Sequence, residues 1–289
     1  FYGRPWWDAI NRQLIRSSLR SETTTESDRL LWTSLPTALP IIGHYREKGV
    51  IYYCGDDFSS LAGVDHATVT RMEKKLVARA DLVLVASETL AEKFPGQNVH
   101  LVAHGVDHAL FSTPVARAAD FPCHTKVAGF YGSIAEWIDI PLLVEVAKAM
   151  PDWHFLFIGP VRVDVGSLLP LSNVTFLGEK RHDELPAYSQ YWRASLLPFR
   201  NNAQIQACNP LKLREYLAAG APVVSTPFPA LKPYGENVMI AETSNAFVNA
   251  LRFIEEESLA ERTGGQWRRQ NSVAGESWAA RAQAVDALI

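Results

Sequence analysis

Between Asn209 and Val224 the chain reads Asn-Pro-Leu-Lys-Leu-Arg-Glu-Tyr-Leu-Ala-Ala-Gly-Ala-Pro-Val-Val, and this run carries the most informative chemistry in the sequence. Pro210 suits a first helical turn, and Gly220 is placed to end the helix. Lys212 and Glu215 stand three apart, so they share one helical face near its amino end. A lysine there, beside free backbone N–H groups and the positive end of the helix dipole, makes a diphosphate site. A carboxylate one turn on can accept hydrogen bonds from the two vicinal hydroxyls of a ribose. The same spacing also fits a solvated ion pair, with Glu215 meeting Arg214 or Lys212.

Other candidates stand just after hydrophobic runs that read as strands, where open parallel sheets bind ligands. Gly132-Ser133 follows KVAGFY; glycine lets backbone approach a phosphate, and Ser133 adds a hydroxyl donor. An ordinary strand-to-helix turn reads the same way. Gly178-Glu179-Lys180 and Phe199-Arg200 occupy comparable places, and Arg162 a weaker one. Arg200 offers a fixed fork of donors for a phosphate, or is a solvated loop arginine. Asp56-Asp57 ends the run IYYC. Adjacent carboxylates on an extended chain point in different directions, so at most one can serve a given site, and the pair also suits a turn cap.

The elements that must position these groups alternate. Residues 8–19 have helical spacing; 29–34 and 49–54 read as strands, with a helix from Pro36 toward Lys48 between them. A helix over 66–80, a strand over 82–87, a helix over 88–94 and a strand over 99–102 follow. SETTTESD, 21–28, is a loop. Residues 113–124, with Pro114 and Pro122, read as a linker, after which the alternation restarts. Strands are predicted at 126–132, 154–159, 174–178, 194–199, 221–226 and 238–241. Helices are predicted at 139–149, 182–191, 210–219 and over most of 244–289. The pattern predicts an α/β protein of two doubly wound, Rossmann-like domains. Residues 1–116 form the first, short of strands and so incomplete, 117–273 the second, and 274–289 a closing helix.

Composition sets bounds. The 289 residues are 47% hydrophobic and 20% charged, an ordinary globular make-up. A net charge of −3 gives no reason to expect nucleic acid as a partner. Cys54, Cys123 and Cys208 lack metal-ligand or CxxC spacing, which fits a reducing cytoplasm. No apolar run approaches the roughly 20 residues of a membrane span, and no signal peptide is visible. The chain has no initiator Met, so the start is expected upstream. Trp6 and Trp7, with Arg4, Arg12, Arg16 and Arg20, make a basic aromatic end that suits the surface of an anionic membrane. Packing inside the domain is the other reading of those tryptophans.

The run from Asn209 to Val224 resembles the nucleotide-binding segment of GT-B glycosyltransferases, families 4 and 1, of the kind that build bacterial exopolysaccharide, teichuronic acid or capsule. YYCGDDFSSLAG (52–63), ARADLVLVASETLAEKF (78–94), HGVDHALF (104–111) and FYGSIAEWID (130–139) follow in matching order. The resemblance implies two domains facing a cleft, with the closing helix returning to the first. It implies a nucleoside-diphosphate sugar donor, UDP favoured, and a saccharide or lipid-linked acceptor. Asn209, Pro210, Leu211, Lys212 and Glu215 would line the donor site, with Lys212 on the diphosphate and Glu215 on the ribose. Gly132 and Ser133 would border the pyrophosphate, and Glu179, Phe199 and Arg200 the rest of the nucleotide. Asp57 would be the base or acceptor positioner, with His104 and His44 as alternatives. No cofactor and no metal is implied, and the place is the cytoplasm, at the inner face of its membrane.

Retaining relatives often carry two glutamates eight apart, but Ala207 stands eight before Glu215. Inverting relatives, such as the glucuronosyltransferases of xanthan synthesis, resemble the chain in this, and the stereochemistry stays open. A nucleotide-sugar 2-epimerase shares the fold but needs a cluster of carboxylates and histidine near the sugar. A non-catalytic nucleotide-sugar-binding subunit is the third reading.

Overall fold

The strand-rich runs are β-branched and nearly continuous in apolar residues, which suits strands covered on both faces, and they assemble into two all-parallel sheets. The computed structural model describes residues 5–19, 29–96, 98–124 and 126–289. The 21–28 loop, Arg4 and Arg20 lie outside them. The first compact unit runs to Ala103 and takes in Ala207–Asn209; the second comprises His104–Gln206 and Pro210–Ile289.

In the first unit, β1 (Leu30–Thr33), β2 (Gly49–Cys54), β3 (Leu82–Val85) and β4 (Val99–Leu101) pair in that order. Helices α1 (Pro5–Leu19), α2 (His66–Val77) and α3 (Glu88–Ala91) accompany them. The core gathers Val50, Tyr52 and Cys54 of β2, Val83 and Val85 of β3, Leu76 of α2 and Leu90 of α3. The helix predicted from Pro36 toward Lys48 is only a 3-10 turn, Pro36–Ile41. Pro40 lacks the N–H needed for helical bonding, and Gly43 at φ +82° follows.

The second unit holds α4 (His108–Ser112), β5 (Val127–Tyr131), α5 (Ile140–Ala149), β6 (His154–Ile158), β7 (Val174–Phe176), α6 (Pro186–Ser189) and β8 (Ala194–Leu197). After α7 (Ala203–Ala207), which leads into the first unit's Ala207–Asn209, come α8 (Leu211–Ala219), β9 (Val223–Ser225), β10 (Val238–Ile240), α9 (Ser244–Glu256), α10 (Leu259–Ser272) and α11 (Trp278–Asp286). The strand order is β10-β9-β8-β5-β6-β7, so the chain reverses direction across the sheet at β5. The helix predicted over 182–191 splits into a 3-10 turn, His182–Glu184, and α6, because Pro186 can only open a helical segment.

The units divide at Ala103 and not at the predicted 116. The segment from His104 packs with the second unit, where Val106 bridges Ser277 and α4 lies against α8. Helix α11 meets that same segment: a Cβ on Gly105 would come within 2.7 Å of the Trp278 backbone.

Candidate functional site

Three glycine turns shape the carboxyl edge of the second sheet. Gly132 after β5, Gly159 after β6 and Gly178 after β7 have φ of +119°, +135° and +72°, which L side chains rarely adopt. They are laced together: Gly132 N–H donates to the Ile158 carbonyl at 2.8 Å, and Gly159 N–H to the Gly178 carbonyl at 2.7 Å. A Cβ on Gly159 would lie 2.2 Å from the Gly132 carbonyl oxygen, so the two loops approach this closely only because Gly159 has no side chain.

Helix α8 points its amino end at this edge. Pro210 is its N-cap, with φ −70° and ψ 128°, one place earlier than the first-turn position predicted for it. Gly220 closes the helix at φ +93°. Leu211, Lys212 and Glu215 of α8 line a hollow of about 350 Å³ with Tyr131, Gly132, Gly159, Glu179, Lys180 and His182. That volume is in the range of small-molecule sites.

The charges in the hollow are held apart. The Lys212 ammonium lies over the Phe130 and Phe199 rings, at 5.3 and 5.7 Å from their centroids, and beside the place a Gly132 Cβ would take. Phe199 is thus a buried floor beneath the lysine. Glu215 is buried and accepts from His182 Nε2 at 2.8 Å. An ionised carboxylate only accepts, so Nε2 carries the proton; a hydrogen bond to a charged group contributes about 1.5–3 kcal/mol. Arg214 turns away, donating from Nε to Glu276 at 2.7 Å, and Glu276 also accepts from Arg281 and Tyr234. The pairing of Glu215 with Arg214 that the sequence left open is not formed. Behind Glu215 the Tyr131 hydroxyl is fully buried, and burial together with the adjacent Glu215 carboxylate raises the phenol well above its ordinary value and keeps it protonated.

The remaining candidates are placed as follows. Ser133 continues the Gly132 turn, half-buried, and Glu179 is exposed at the rim. Arg200 does not line this hollow. Its Nε donates to the Ile138 carbonyl at 3.2 Å and it borders a second hollow with Glu136 and Asp164, because the backbone at Arg200 is tied to Trp137. Asn209 belongs to the first unit, where its amide donates to the Ala86 carbonyl at 2.6 Å.

Asp57 is a fixed anchor. It accepts from Lys93 Nζ at 2.5 Å, Ser59 Oγ at 2.6 Å and Ser60 Oγ at 2.8 Å. Burial raises its carboxyl, but these donors outweigh it and bring it down to about 2. So stabilised a carboxylate is a poor proton acceptor, which disfavours the predicted base role. Lys93 also meets Glu73, which is 2% exposed and accepts from the Tyr52 hydroxyl at 2.6 Å. Of the alternatives, His104 is brought to about 4 by burial and by Arg214, and His44 meets Arg12 at 3.1 Å.

Sequence reasoning missed His182, while Lys180, read with Gly178 and Glu179 after a strand end, does line the hollow. His182 sits within the 182–191 run and three before a leucine-proline pair; nothing local marks it as a partner of Glu215, 33 positions on.

This is the fold of the GT-B glycosyltransferases. Anabaena HepE, solved in complex with UDP and glucose, superposes with a TM-score of 0.74 at 14% identity, covering 96% of this chain and 81% of HepE. Sucrose-phosphate synthase from Thermosynechococcus elongatus gives 0.74 at 19% identity, covering 95% of this chain and 76% of its own. At the level of sequence, residues 125–256 match the family described as Glycosyl transferases group 1. TuaH of Bacillus subtilis (strain 168), named as a teichuronic acid biosynthesis glycosyltransferase, is 31% identical over 230 residues. That match covers 71% of this chain and 58% of TuaH, so the chain spans under two thirds of that relative.

Proposed function

We propose that the protein is a glycosyltransferase that moves a hexosyl group from a nucleoside-diphosphate sugar, UDP-linked, to a hydroxyl of a saccharide or lipid-linked acceptor in bacterial surface polysaccharide synthesis. One observation carries this: Lys212 and Glu215 face one hollow at the amino end of α8 while Arg214 is engaged elsewhere. A cation, helical N–H groups and a carboxylate one turn apart match a diphosphate and a ribose diol. The names of HepE and TuaH, one solved with UDP and glucose and one named for teichuronic acid biosynthesis, support the donor and the setting.

In the reaction, charge grows on the leaving diphosphate as the bond to the anomeric carbon breaks. Lys212, above the Phe130 and Phe199 rings, and the amino end of α8 are fixed in advance to meet that charge. The reading gives this task to the protein's own cation, so turnover is expected to survive EDTA. Helix α1 leaves Trp6, Ile10 and Leu14 exposed at four-residue spacing, which supports contact with an anionic membrane surface. Among the described residues no helix is long and apolar enough to cross a membrane.

The test is thermal unfolding with UDP. At a hundredfold excess over Kd, binding stabilises by about 2.7 kcal/mol, on the order of 5–10 °C in Tm. Lys212→Ala is expected to weaken UDP about tenfold to a hundredfold, as loss of a charge-assisted contact would. A UDP shift unchanged in Lys212→Ala would remove the proposed site.

A further inference from the structure

Glu215 has an obvious alternative partner within its own helix. Lys212 precedes it by three positions, and oppositely charged side chains at that spacing attract. A Lys212–Glu215 ion pair would neutralise the cation and use up the carboxylate, closing the hollow to a ligand that needs both. The structure avoids this. The Glu215 carboxylate turns to His182 Nε2 at 2.8 Å, while the Lys212 ammonium rests on two aromatic rings.

The imidazole is itself held. His182 opens the 3-10 turn after β7, and its ring packs edge-on against Phe111 of α4 at 5.4 Å. Its side chain is 58% exposed while that of Glu215 is 10% exposed, so the histidine stands at the mouth and the carboxylate beneath it. Only one carboxylate oxygen meets the ring. An ionised carboxylate has acceptor positions for about four hydrogen bonds, so a diol can bind with the His182 bond intact.

We infer that His182 is a positioning residue that holds Glu215 away from Lys212 and aims it at the ribose of the bound nucleotide, setting the preference for ribose over deoxyribose. This rests on the nucleotide-sugar reading of the hollow. His182 acts through Glu215 and needs no contact with the ligand.

The experiment measures UDP and 2′-deoxy-UDP binding by titration calorimetry to the full chain and three variants. The unsubstituted protein is expected to prefer UDP by about tenfold or more, the scale of one charge-assisted hydrogen bond. Glu215→Gln, with half the carboxylate's acceptor capacity, should lose most of that preference. His182→Ala should weaken UDP roughly tenfold and 2′-deoxy-UDP, which keeps only the 3′-hydroxyl, about threefold, so that the preference shrinks. His182→Gln places an amide N–H near the position of Nε2–H and should restore most of it. Circular dichroism checks that each variant is folded; the exposure of the His182 ring makes a folding defect an unexpected result.

Each other outcome overturns something definite. Equal preference in the unsubstituted protein and His182→Ala overturns the positioning role and leaves the nucleotide reading standing. An equal loss for both nucleotides in His182→Ala places His182 on another part of the ligand and overturns action through Glu215. No binding of either nucleotide by the unsubstituted protein overturns both.

Discussion

Replacing Gly132 by alanine tests the site without presupposing a sugar. The residue has φ +119°, outside the regions open to L side chains, and holding alanine there costs about 1–3 kcal/mol. At 2–4 °C per kcal/mol for a unit of this size, a cost of about 2 kcal/mol lowers Tm by roughly 4–8 °C. The added methyl would stand 3.0 Å from Lys212 Cε and 3.2 Å from Nζ. Those atoms end a flexible side chain, so they move aside and add little to the stability loss. They cannot move aside without shifting the ammonium from the mouth of the turn. UDP affinity is therefore expected to fall about tenfold, equivalent to about 1.4 kcal/mol. Gly159→Ala is the contrast, because its methyl would strike the Gly132 carbonyl oxygen at 2.2 Å, and backbone cannot step aside. It should lower Tm further than Gly132→Ala. Differential scanning calorimetry reads the first effect and titration with UDP the second. A Gly132→Ala protein that melts within roughly 1 °C of the parent and binds UDP within about twofold refutes the reasoning.

Two further outcomes concern pH. Asp57 is held at about 2, below the ordinary value near 3.9, so its stabilisation is complete above that ordinary value and fades as pH falls through about 2. Asp57→Asn should cost about 2 kcal/mol in urea unfolding at pH 7 and show little difference near pH 2. His104 is held at about 4, so between the ordinary histidine value and that point the unfolded chain binds the proton and the folded one does not. Stability should drop on the order of 3 kcal/mol across that window. His104→Gln should flatten the profile, and an unchanged profile would show that His104 is not the group responsible.

The strands and their parallel pairing were legible in the sequence because they rest on local composition. GVIYYC, LVLV and HFLFI are apolar on both faces, and the first two are each followed by a helical period, which leaves a covered parallel sheet as the economical arrangement. The ends of α8 were legible for the same reason, since Pro210 and Gly220 act on their own dihedrals. The facing of Lys212 and Glu215 follows from helical spacing alone. Where prolines interrupt a helical period, as at Pro40 and Pro186, local steric rules overrode the pattern and shortened the predicted helices.

What the chain does with its charged groups was decided by tertiary structure. His182 reaches Glu215 across 33 positions, Arg214 reaches Glu276 across 62, and Lys93 reaches Asp57 across 36. No periodicity links residues so far apart; only the order of strands in the sheet and the packing of helices brings them within 3 Å. Those approaches tie Asp57 to Lys93 and place Arg200 at another hollow. They left Lys212 and Glu215 facing one hollow, each on a separate support. Sequence determines which side chains share a helix face or a strand end, because backbone geometry is local. Partner choice among charges depends on distance through space, and the fold alone sets it.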